Sequence, residues 1–191
     1  MKKLVLLATL AASVTAIATA PAWAQKVKLT TSMGDIVLQL DAEKAPKTVA
    51  NFVQYVKAGH YNGTIFHRVI DGFMVQGGGM QADLQEKPTR APIPLEAKNG
   101  LSNLRGSLAM ARTQVPDSAT AQFFINLGDN LRLDAASSPD GNGYAVFGRV
   151  VEGMDVVDRI KAVPVGNQAG YQNVPQQAIL IKQATLIGES K

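Results

Sequence analysis

Cysteine is absent from all 191 residues of the chain. Disulfide bonds, thiol nucleophiles and thiolate metal sites are therefore excluded, and a hydrophobic core must stabilise the fold without cross-links. Histidine is scarce as well, because His60 and His67 are the only two and their spacing is not typical of metal ligands. We therefore expect neither a metal ion nor a cofactor.

A strong excess of charge is also lacking. The chain has 19 Lys and Arg residues against 15 Asp and Glu residues, and no long run of basic residues occurs. Nucleic acids and anionic lipid surfaces bind proteins that concentrate positive charge. The composition therefore argues against a nucleic-acid-binding protein.

Long apolar segments are missing except at the N-terminus. Two lysines precede an uncharged stretch over residues 4–20, and Ala22 and Ala24 fit the small-x-small pattern of a cleavage site. This order predicts a cleavable signal peptide over residues 1–24. A membrane anchor is the alternative, but the stretch is short, rich in Ala and Thr, and not followed by a stop-transfer segment. We expect an exported protein whose single domain spans residues 25–191, with no membrane attachment after cleavage.

Two helices are predicted from apolar periodicity. Apolar residues recur at helical spacing after Pro46 and stop before Gly59, which predicts a helix over residues 46–58. A shorter pattern of the same kind predicts a second helix near 153–161.

The rest of the chain has the residue pattern of a β protein. Alternating apolar residues on either side of a turn at 32–35 predict a hairpin over 27–40. Further short apolar runs, separated by Gly, Pro, Asn and Asp, predict strands near 64–70, 73–77, 107–112, 121–127, 144–150 and 177–187. Many short strands with only two helices indicate a closed antiparallel barrel or a sandwich, and periodicity does not choose between them.

One segment, residues 61–78, combines aromatic, polar and basic residues at strand spacing. If residues 64–70 form a regular strand, Phe66 and Arg68 lie on one face, while His67 and Val69 lie on the other. The next strand would place Phe73, Val75 and Gly77 on one side and Met74 and Gln76 on the opposite side. Together the two strands can present a guanidinium, a thioether and an amide beside aromatic rings, a composition typical of a small-ligand pocket.

Each of these residues also has an ordinary structural interpretation. A Phe or Met in a strand usually packs in the core, and an isolated Arg usually faces solvent. His67 in an apolar run is typical of a hydrogen-bonded core residue. Spacing alone favours the structural interpretation throughout.

The order of residues resembles the cyclophilin signature, in which Phe-His-Arg is followed by Gly-Phe-Met-x-Gln-Gly-Gly. Residues 122–125 (Gln-Phe-Phe-Ile), 146–148 (Val-Phe-Gly) and 106–111 resemble three further blocks of that family, and the likeness extends from about residue 27 to 187. The resemblance implies an eight-stranded closed antiparallel β-barrel capped by two α-helices. It also implies a peptidyl-prolyl cis/trans isomerase, here of the exported bacterial subgroup that resides in the periplasm.

The resemblance also implies the site residues, position by position. Arg68 falls on the catalytic arginine of the family. The remaining positions would bind substrate through the proline pocket, the peptide backbone or the rim, and they are Phe73, Met74, Gln76, Ala111, Arg112, Gln122, Phe124, Arg132, Leu133 and Tyr144. At Ala111 and Arg112 the implied contact is through the main chain.

Three positions depart from common family patterns. Arg132 stands where many eukaryotic members have Trp and exported bacterial members often have Phe. Tyr144 replaces a frequent His, and Arg112 replaces a frequent Asn. We expect Tyr144 and Arg112 to alter substrate preference more than activity. Arg132 lies on the rim of the implied pocket, and there we expect weak binding of the family's inhibitor cyclosporin.

The implied reaction suits residues of this kind. Rotation about an X-Pro amide is slow because its barrier is about 18–20 kcal/mol, and no covalent bond has to be made or broken. An arginine stays protonated and offers several donors, so Arg68 can stabilise the twisted amide better than the planar one. The expected partners are proline-containing, unfolded exported proteins, and the expected oligomeric state is a monomer.

Three other functions compete with the isomerase. A chaperone could hold proline-containing segments in the same groove without turnover, and a small barrel could bind a lipophilic ligand in its interior. A hydrolase is disfavoured because no Gly-x-Ser-x-Gly motif occurs, and Ser107 and Ser118 have no evident base partner.

Overall fold

Eight strands close into an antiparallel barrel in the computed structural model, which describes residues 25–188. In chain order they are β1 (Lys26–Thr31), β2 (Gly34–Leu40), β3 (Thr64–Ile70), β4 (Met74–Gly77), β5 (Ser107–Met110), β6 (Phe123–Asn126), β7 (Val146–Glu152) and β10 (Leu180–Ile187). Around the barrel the order is β1-β10-β3-β4-β6-β5-β7-β2, and β2 closes onto β1. The choice between barrel and sandwich is thereby settled, and the predicted eight-stranded barrel is confirmed. The predicted signal peptide lies outside the described residues.

The barrel interior is filled by side chains. The Phe52 ring packs against three others, with its centroid 5.0 Å from that of Tyr61, 5.5 Å from that of Phe123 and 5.1 Å from that of Phe147. All four residues are almost completely buried and belong to one hydrophobic cluster. An eight-stranded barrel is just wide enough for such filling, so this packing favours a solid core over a cavity for a lipophilic ligand.

Two helices accompany the barrel, α1 (Pro46–Lys57) and α2 (Met154–Lys161). Their observed limits differ from the predicted ones by a single residue, because Pro46 sets the start of α1 and the apolar periodicity is strong. Each helix turns its apolar face, which includes Phe52 in α1 and Ile160 in α2, into the core. Within residues 25–188, neither helix is long and apolar enough to cross a bilayer.

The N-terminus of α1 is capped from a distant part of the chain. The residue before it, Ala45, has no side chain that can accept a hydrogen bond. Instead the Glu96 carboxylate accepts from the Lys47 amide at 3.1 Å, the Thr48 amide at 2.8 Å and the Thr48 hydroxyl at 2.7 Å. A carboxylate here satisfies free N–H groups and complements the positive end of the helix dipole.

We expect Glu96→Ala to lower the free energy of unfolding by about 1–2 kcal/mol, because two helix N–H groups lose their acceptor. At this chain length such a loss lowers the melting temperature by about 2–8 °C. Thermal unfolding followed by circular dichroism measures the shift. Glu43→Ala, an exposed glutamate close to the same helix, is the matched control. Equal melting temperatures for both variants would contradict the capping role.

A second, two-stranded sheet was not predicted. It pairs β8 (Val165–Gln168) with β9 (Tyr171–Pro175) through the tight turn Ala169–Gly170. Both turn residues have positive φ, +48° and +84°, as tight hairpin turns require. The two strands are largely exposed and therefore lack the apolar alternation that marks a strand in the sequence.

The limits of several strands also differ from the prediction. β5 and β6 are shorter than the predicted runs, β7 begins two residues later, and β10 begins at Leu180 instead of residue 177. Around β5, β6 and β7 the apolar run continues past the last ladder pair into a loop that still packs on the barrel, whereas residues 177 and 178 before β10 are exposed. Ala121, Leu127 and Ala145 are examples, all buried but outside the strands.

The predicted alternation along β3 is wrong at one point. Phe66 pairs with Gly77, and Arg68 pairs with the neighbouring Gln76. His67 between them therefore has no partner of its own on β4 and is an extra residue in β3. This is a β-bulge, and it reverses the faces of the residues that follow. Phe66 and Val69 consequently both pack in the core, and Arg68 does not share the face of Phe66.

Candidate active site

A row of paired residues crosses five neighbouring strands. Arg68 of β3 pairs with Gln76 of β4, which pairs with Phe124 of β6, followed by Ala109 of β5 and Val146 of β7. Directly paired residues point to the same face of a sheet. The row therefore places a guanidinium and an amide beside an apolar patch on the outside of the barrel.

The bulge at His67 is what brings Arg68 into this row. In a regular ladder continued from the Phe66–Gly77 pair, His67 would lie opposite Gln76 and Arg68 would face the core. The extra residue shifts Arg68 opposite Gln76 instead. Arg68 is half-buried, which leaves part of its guanidinium accessible to a ligand.

The polar end of the row is a short chain of side-chain contacts. The Arg68 Nη1 atom makes a long contact of 3.4 Å with Gln76 Oε1, and Gln76 Nε2 donates to Gln122 Oε1 at 2.9 Å. Gln122 lies immediately before β6. The guanidinium therefore borders two linked amides at the polar end of the row.

The apolar part of the row forms a cluster that is separate from the core. Met74, Ala109, Phe124 and Val146 are buried in it, and its partly buried walls are Ile70, Phe73, Leu101, Ala111, Leu133 and Tyr144. The Tyr144 ring stands edge-on to Phe124, with centroids 5.7 Å apart and an interplanar angle of 78°. A shallow site lined by aliphatic and aromatic groups suits a pyrrolidine ring.

Phe73 lies in this cluster and not on the side of Val75, contrary to the prediction from alternation. It precedes β4 in the turn after β3, so the period of two does not apply to it. The exposed Arg132, in the 3-10 turn Leu131–Leu133, places its guanidinium carbon 4.8 Å from the centre of the Phe73 ring. This cation–π contact puts a positive charge at the mouth of the apolar cluster.

The structure brings together nearly all residues implied by the resemblance. Arg68, Gln76 and Gln122 form the polar chain, and five apolar cluster members come from the same prediction, namely Phe73, Met74, Phe124, Leu133 and Tyr144. Ala111 also lines the cluster, although its N–H donates to the Gln122 carbonyl at 3.0 Å and is not free for substrate. Arg112 is adjacent, but its side chain is turned toward the loop at 134–143.

The sequence analysis did not predict the residues whose hydrogen bonds hold the walls of this site in place. A buried group of amides, Asn103, Asn126 and Asn130, anchors the Phe73 carbonyl and the Asp134 carboxylate. A cleft of about 340 Å³ also adjoins Gln122, lined by Gly79, Glu86, Lys87, Pro88, Thr89 and Thr120. These residues are far apart in the chain, and no local pattern links them.

Metal ligands are not grouped anywhere in the part of the chain that the structure describes. No three His, Asp or Glu side chains of residues 25–188 come close enough to hold an ion. The groups that converge at the site are a guanidinium, amides and apolar side chains. This arrangement can bind and orient an amide, and it contains no paired nucleophile and base.

Comparison with known proteins agrees with this geometry. Residues 26–186 match the profile of the family described as cyclophilin type peptidyl-prolyl cis-trans isomerase. The chain belongs to the cyclophilin family. The predicted family is confirmed, whereas the exported bacterial subgroup stays a prediction.

Individual cyclophilins match over most of their length. The isomerase cyp18 of Streptomyces antibioticus is 58% identical over 163 residues, which are 85% of this chain and 98% of that protein. Isomerase A of Dickeya dadantii is 57% identical and covers 84% of both chains, and isomerase B of Escherichia coli is 54% identical and covers 82% of this chain and 96% of its own. These relatives support peptidyl-prolyl cis-trans isomerase activity for the present cyclophilin.

Solved cyclophilin structures have the same fold. A cyclophilin type isomerase of Cryptosporidium parvum, crystallised with the dipeptide Ala-Pro, superposes with a TM-score of 0.71 at 26% identity, covering 86% of this chain and all of that one. A cyclophilin of Hirschia baltica has a TM-score of 0.71 at 24% identity, covers 88% of this chain and 76% of its own, and supports the fold alone.

The bulge residue His67 is buried and uncharged in this cyclophilin. Burial, and to a lesser degree the neighbouring charge of Arg68, lower its pKa from 6.5 to about 4. Among the described residues, its Nδ1 is a buried polar atom without a hydrogen-bond partner. The predicted structural role of His67 agrees with this burial, although the predicted hydrogen bond is not found at Nδ1.

The lowered pKa of His67 predicts acid lability. The unfolded chain binds a proton at His67 below pH 6.5, whereas the folded protein does so only near pH 4, so stability falls as pH drops between these values. The expected loss over this window is roughly 3 kcal/mol. Urea unfolding at pH 7, 5.5 and 4.5 measures it, and His67→Gln is expected to flatten the dependence.

A control for this titration is His60→Gln. The pKa of His60 is also lowered, by burial and by the nearby charge of Lys87, so this variant separates the contributions of the two histidines. An unchanged pH dependence in His67→Gln contradicts the assignment to His67.

Proposed function

We propose that this cyclophilin accelerates cis/trans rotation about X-Pro bonds of exported proteins, with Arg68 stabilising the twisted amide. The observation that carries the proposal is the cross-strand row, in which the guanidinium of Arg68 borders the apolar cluster around Phe124. A proline ring seated on that cluster brings its amide nitrogen to the polar end of the row.

The apolar cluster binds the proline ring of the substrate. Phe73, Met74, Phe124 and Leu133 offer carbon surfaces to a pyrrolidine ring and hold it while the acyl side turns. The same surfaces exclude water from the carbonyl. Because the planar amide is the more polar state, its loss of hydration favours the twisted state.

Arg68 supplies the electrostatic half. In the twisted amide, the nitrogen lone pair is no longer delocalised and accepts a hydrogen bond. A positioned donor therefore binds the twisted state more strongly than the planar one, and this difference lowers the barrier. The contact with Gln76 and the Gln76–Gln122 bond support the role by orienting the guanidinium before substrate arrives.

Gln76, Gln122 and the main chain at Ala111 and Arg112, apart from the bonded Ala111 N–H, are the proposed contacts for the substrate backbone. Both glutamine side chains are half-buried next to the cluster, so they retain polar atoms that face the groove. A peptide that crosses the row would place its amides beside them. Arg132 and Tyr144 would then meet the residues that flank the proline.

The proposed location is the periplasm, where the mature protein would act as a monomer on unfolded exported chains. The support is the predicted signal peptide over residues 1–24. Expression of the full chain in a Gram-negative host, followed by fractionation and N-terminal mass analysis, tests it. A mature N-terminus at Gln25 in the periplasmic fraction is expected, and an uncleaved cytoplasmic product contradicts it.

The reaction is tested by protease-coupled isomerisation of an Ala-Pro tetrapeptide with the purified residues 25–191. The uncatalysed exchange takes tens to hundreds of seconds at 25 °C, so acceleration is directly visible. We expect catalysis proportional to enzyme concentration. A folded protein that leaves the exchange rate unchanged contradicts the proposed function.

A further inference from the structure

The side chain of Arg112 is fully occupied inside the protein. Only 3% of it is exposed, and each of its three nitrogens has an acceptor. Nε donates to the Gly143 carbonyl at 2.8 Å, Nη1 donates to the Thr113 carbonyl at 2.9 Å, and Nη2 binds the Asp140 carboxylate. The guanidinium carbon also lies 4.6 Å from the centre of the Tyr144 ring.

The loop that Arg112 contacts, residues 134–143, has little apolar material of its own. Asp140 organises it by accepting from the Ser138 hydroxyl at 2.8 Å and from the Asn142 amide at 3.0 Å. These bonds, together with the one from Arg112, hold the pKa of Asp140 well below its usual range, so the carboxylate stays charged. The loop is therefore closed by polar contacts that converge on Asp140 and Arg112.

Two walls of the apolar cluster, Leu133 and Tyr144, flank the same loop. The Tyr144 amide donates to the Leu133 carbonyl at 2.9 Å, which joins the two ends of the loop. Gly143 permits this approach, because a Cβ there would lie 2.7 Å from the Leu133 carbonyl oxygen and 2.5 Å from the Ala135 nitrogen. Arg112 therefore binds the carbonyl of the residue directly before Tyr144, and the Tyr144 amide in turn binds Leu133.

We propose that Arg112 is a positioning residue, which clamps the 134–143 loop against the end of β5 and thereby keeps Leu133 and Tyr144 in place around the bound proline. This inference rests on the proposed function, because it concerns the shape of the proline pocket. It also changes the interpretation of Arg112, whose side chain serves the loop and not the substrate.

A clamp of this kind has a specific kinetic signature. Without it the loop samples open conformations in which Leu133 and Tyr144 leave the pocket. Apparent substrate affinity then falls in proportion to the fraction of molecules with a closed loop. The closed fraction still turns over at the same rate once it is saturated, so KM rises while kcat is retained.

Steady-state kinetics with an Ala-Pro tetrapeptide test the inference. Arg112→Ala is expected to raise KM by about tenfold with kcat within about twofold of wild type. Asp140→Ala is expected to act in the same direction but less strongly. The double variant is expected to be no worse than Arg112→Ala, because both side chains belong to one clamp. Arg112→Lys keeps the charge without the fork and is expected to restore only part of the affinity.

Hydrogen exchange of the loop supplies a second readout. In Arg112→Ala we expect faster exchange in the peptide that covers residues 134–144, with unchanged exchange in α2. Arg159→Ala is the matched control, because it breaks another arginine–aspartate pair, with Asp155, that has no contact with the apolar cluster. It is expected to leave KM and loop exchange unchanged.

The outcomes separate this inference from the proposed function. An inactive wild type contradicts the proposed function and the inference with it. An active wild type whose KM is unchanged in Arg112→Ala contradicts the inference alone. If Arg112→Ala does not fold, Asp140→Ala decides, since Asp140 is exposed and lies outside the barrel core; a wild-type KM in that variant overturns the clamp.

Discussion

Replacing Arg68 by alanine is expected to lower kcat/KM for an Ala-Pro tetrapeptide by about a hundredfold or more. The side chain is the only arginine in the cross-strand row from β3 to β7, and its guanidinium borders the apolar cluster. Without it, the twisted amide nitrogen loses its donor while the proline ring can still bind. We therefore expect the loss in kcat, with KM changing much less.

Two further variants serve as controls for Arg68→Ala. Arg68→Lys keeps the charge but presents a single ammonium in place of the planar fork, and we expect it to fall between wild type and Arg68→Ala. Arg149→Ala removes an exposed arginine on β7 outside the row and is expected to keep full activity. Thermal unfolding of all three establishes that the fold is intact. Wild-type turnover in a folded Arg68→Ala protein excludes the proposed mechanism.

The elements that sequence reasoning located are those with strong local signals. α1 is predictable because Pro46 starts it and an apolar stripe including Phe52 follows at helical spacing. The hairpin of β1 and β2 is predictable because apolar alternation and a turn coincide. In both, the chemistry of neighbouring residues along the chain determines the structure, so a local pattern is sufficient.

The orientation of Arg68, in contrast, does not follow from a local pattern. The run Phe66-His67-Arg68-Val69 has the same appearance whether the strand is regular or bulged, and strict alternation would have turned Arg68 toward the core side of Val75. The bulge exists only in the pairing of β3 with β4, where two residues oppose one. A property of a strand pair is not visible in either strand alone. The resemblance to the family nevertheless implied Arg68 as a site residue, and the pairing with Gln76 places it in the cross-strand row.

The side chain of Arg112 was equally beyond local reasoning. Its acceptors are the carbonyls of Thr113 and Gly143 and the carboxylate of Asp140, and two of these lie about thirty residues further along the chain. Position in the family pattern implied a main-chain contact with substrate. Only the folded loop shows that the guanidinium is buried.

The asparagine side chains beneath the pocket form a buried hydrogen-bond network. Asn126 is fully buried, donates to Asn103 Oδ1 at 3.1 Å and to Ser107 Oγ at 2.8 Å, and accepts from Asn130 Nδ2 at 2.7 Å. Asn130 in turn donates to the Phe73 carbonyl at 2.8 Å. Asn126 therefore connects strand β6 of the barrel to the wall of the apolar cluster.

Asn103 extends the same group to the other wall. Its amide and its side chain both donate to Asp134 Oδ1, at 2.7 and 2.8 Å, directly after the 3-10 turn that carries Leu133. A buried network in which every polar group has its hydrogen bonds is rigid. Removing one side chain leaves its partners without hydrogen bonds in a medium of low dielectric. Asn126 is the member with most partners, and its loss is expected to have the largest effect.

Asn126→Leu is expected to reduce the free energy of unfolding by about 4 kcal/mol, because an unpaired buried donor or acceptor costs about 1–3 kcal/mol and several partners are affected. The melting temperature should fall by about 8–16 °C. Ser107→Ala removes a single partner and is expected to cost about 1 kcal/mol.

Asn167→Leu, the same substitution at an exposed position of β8, is expected to stay within about 0.5 kcal/mol of wild type. Urea denaturation at pH 7 distinguishes the three variants. If Asn126→Leu is as stable as Asn167→Leu, the amides do not act as one group, and the walls of the proline pocket must be anchored by the Arg112 clamp and by apolar packing alone.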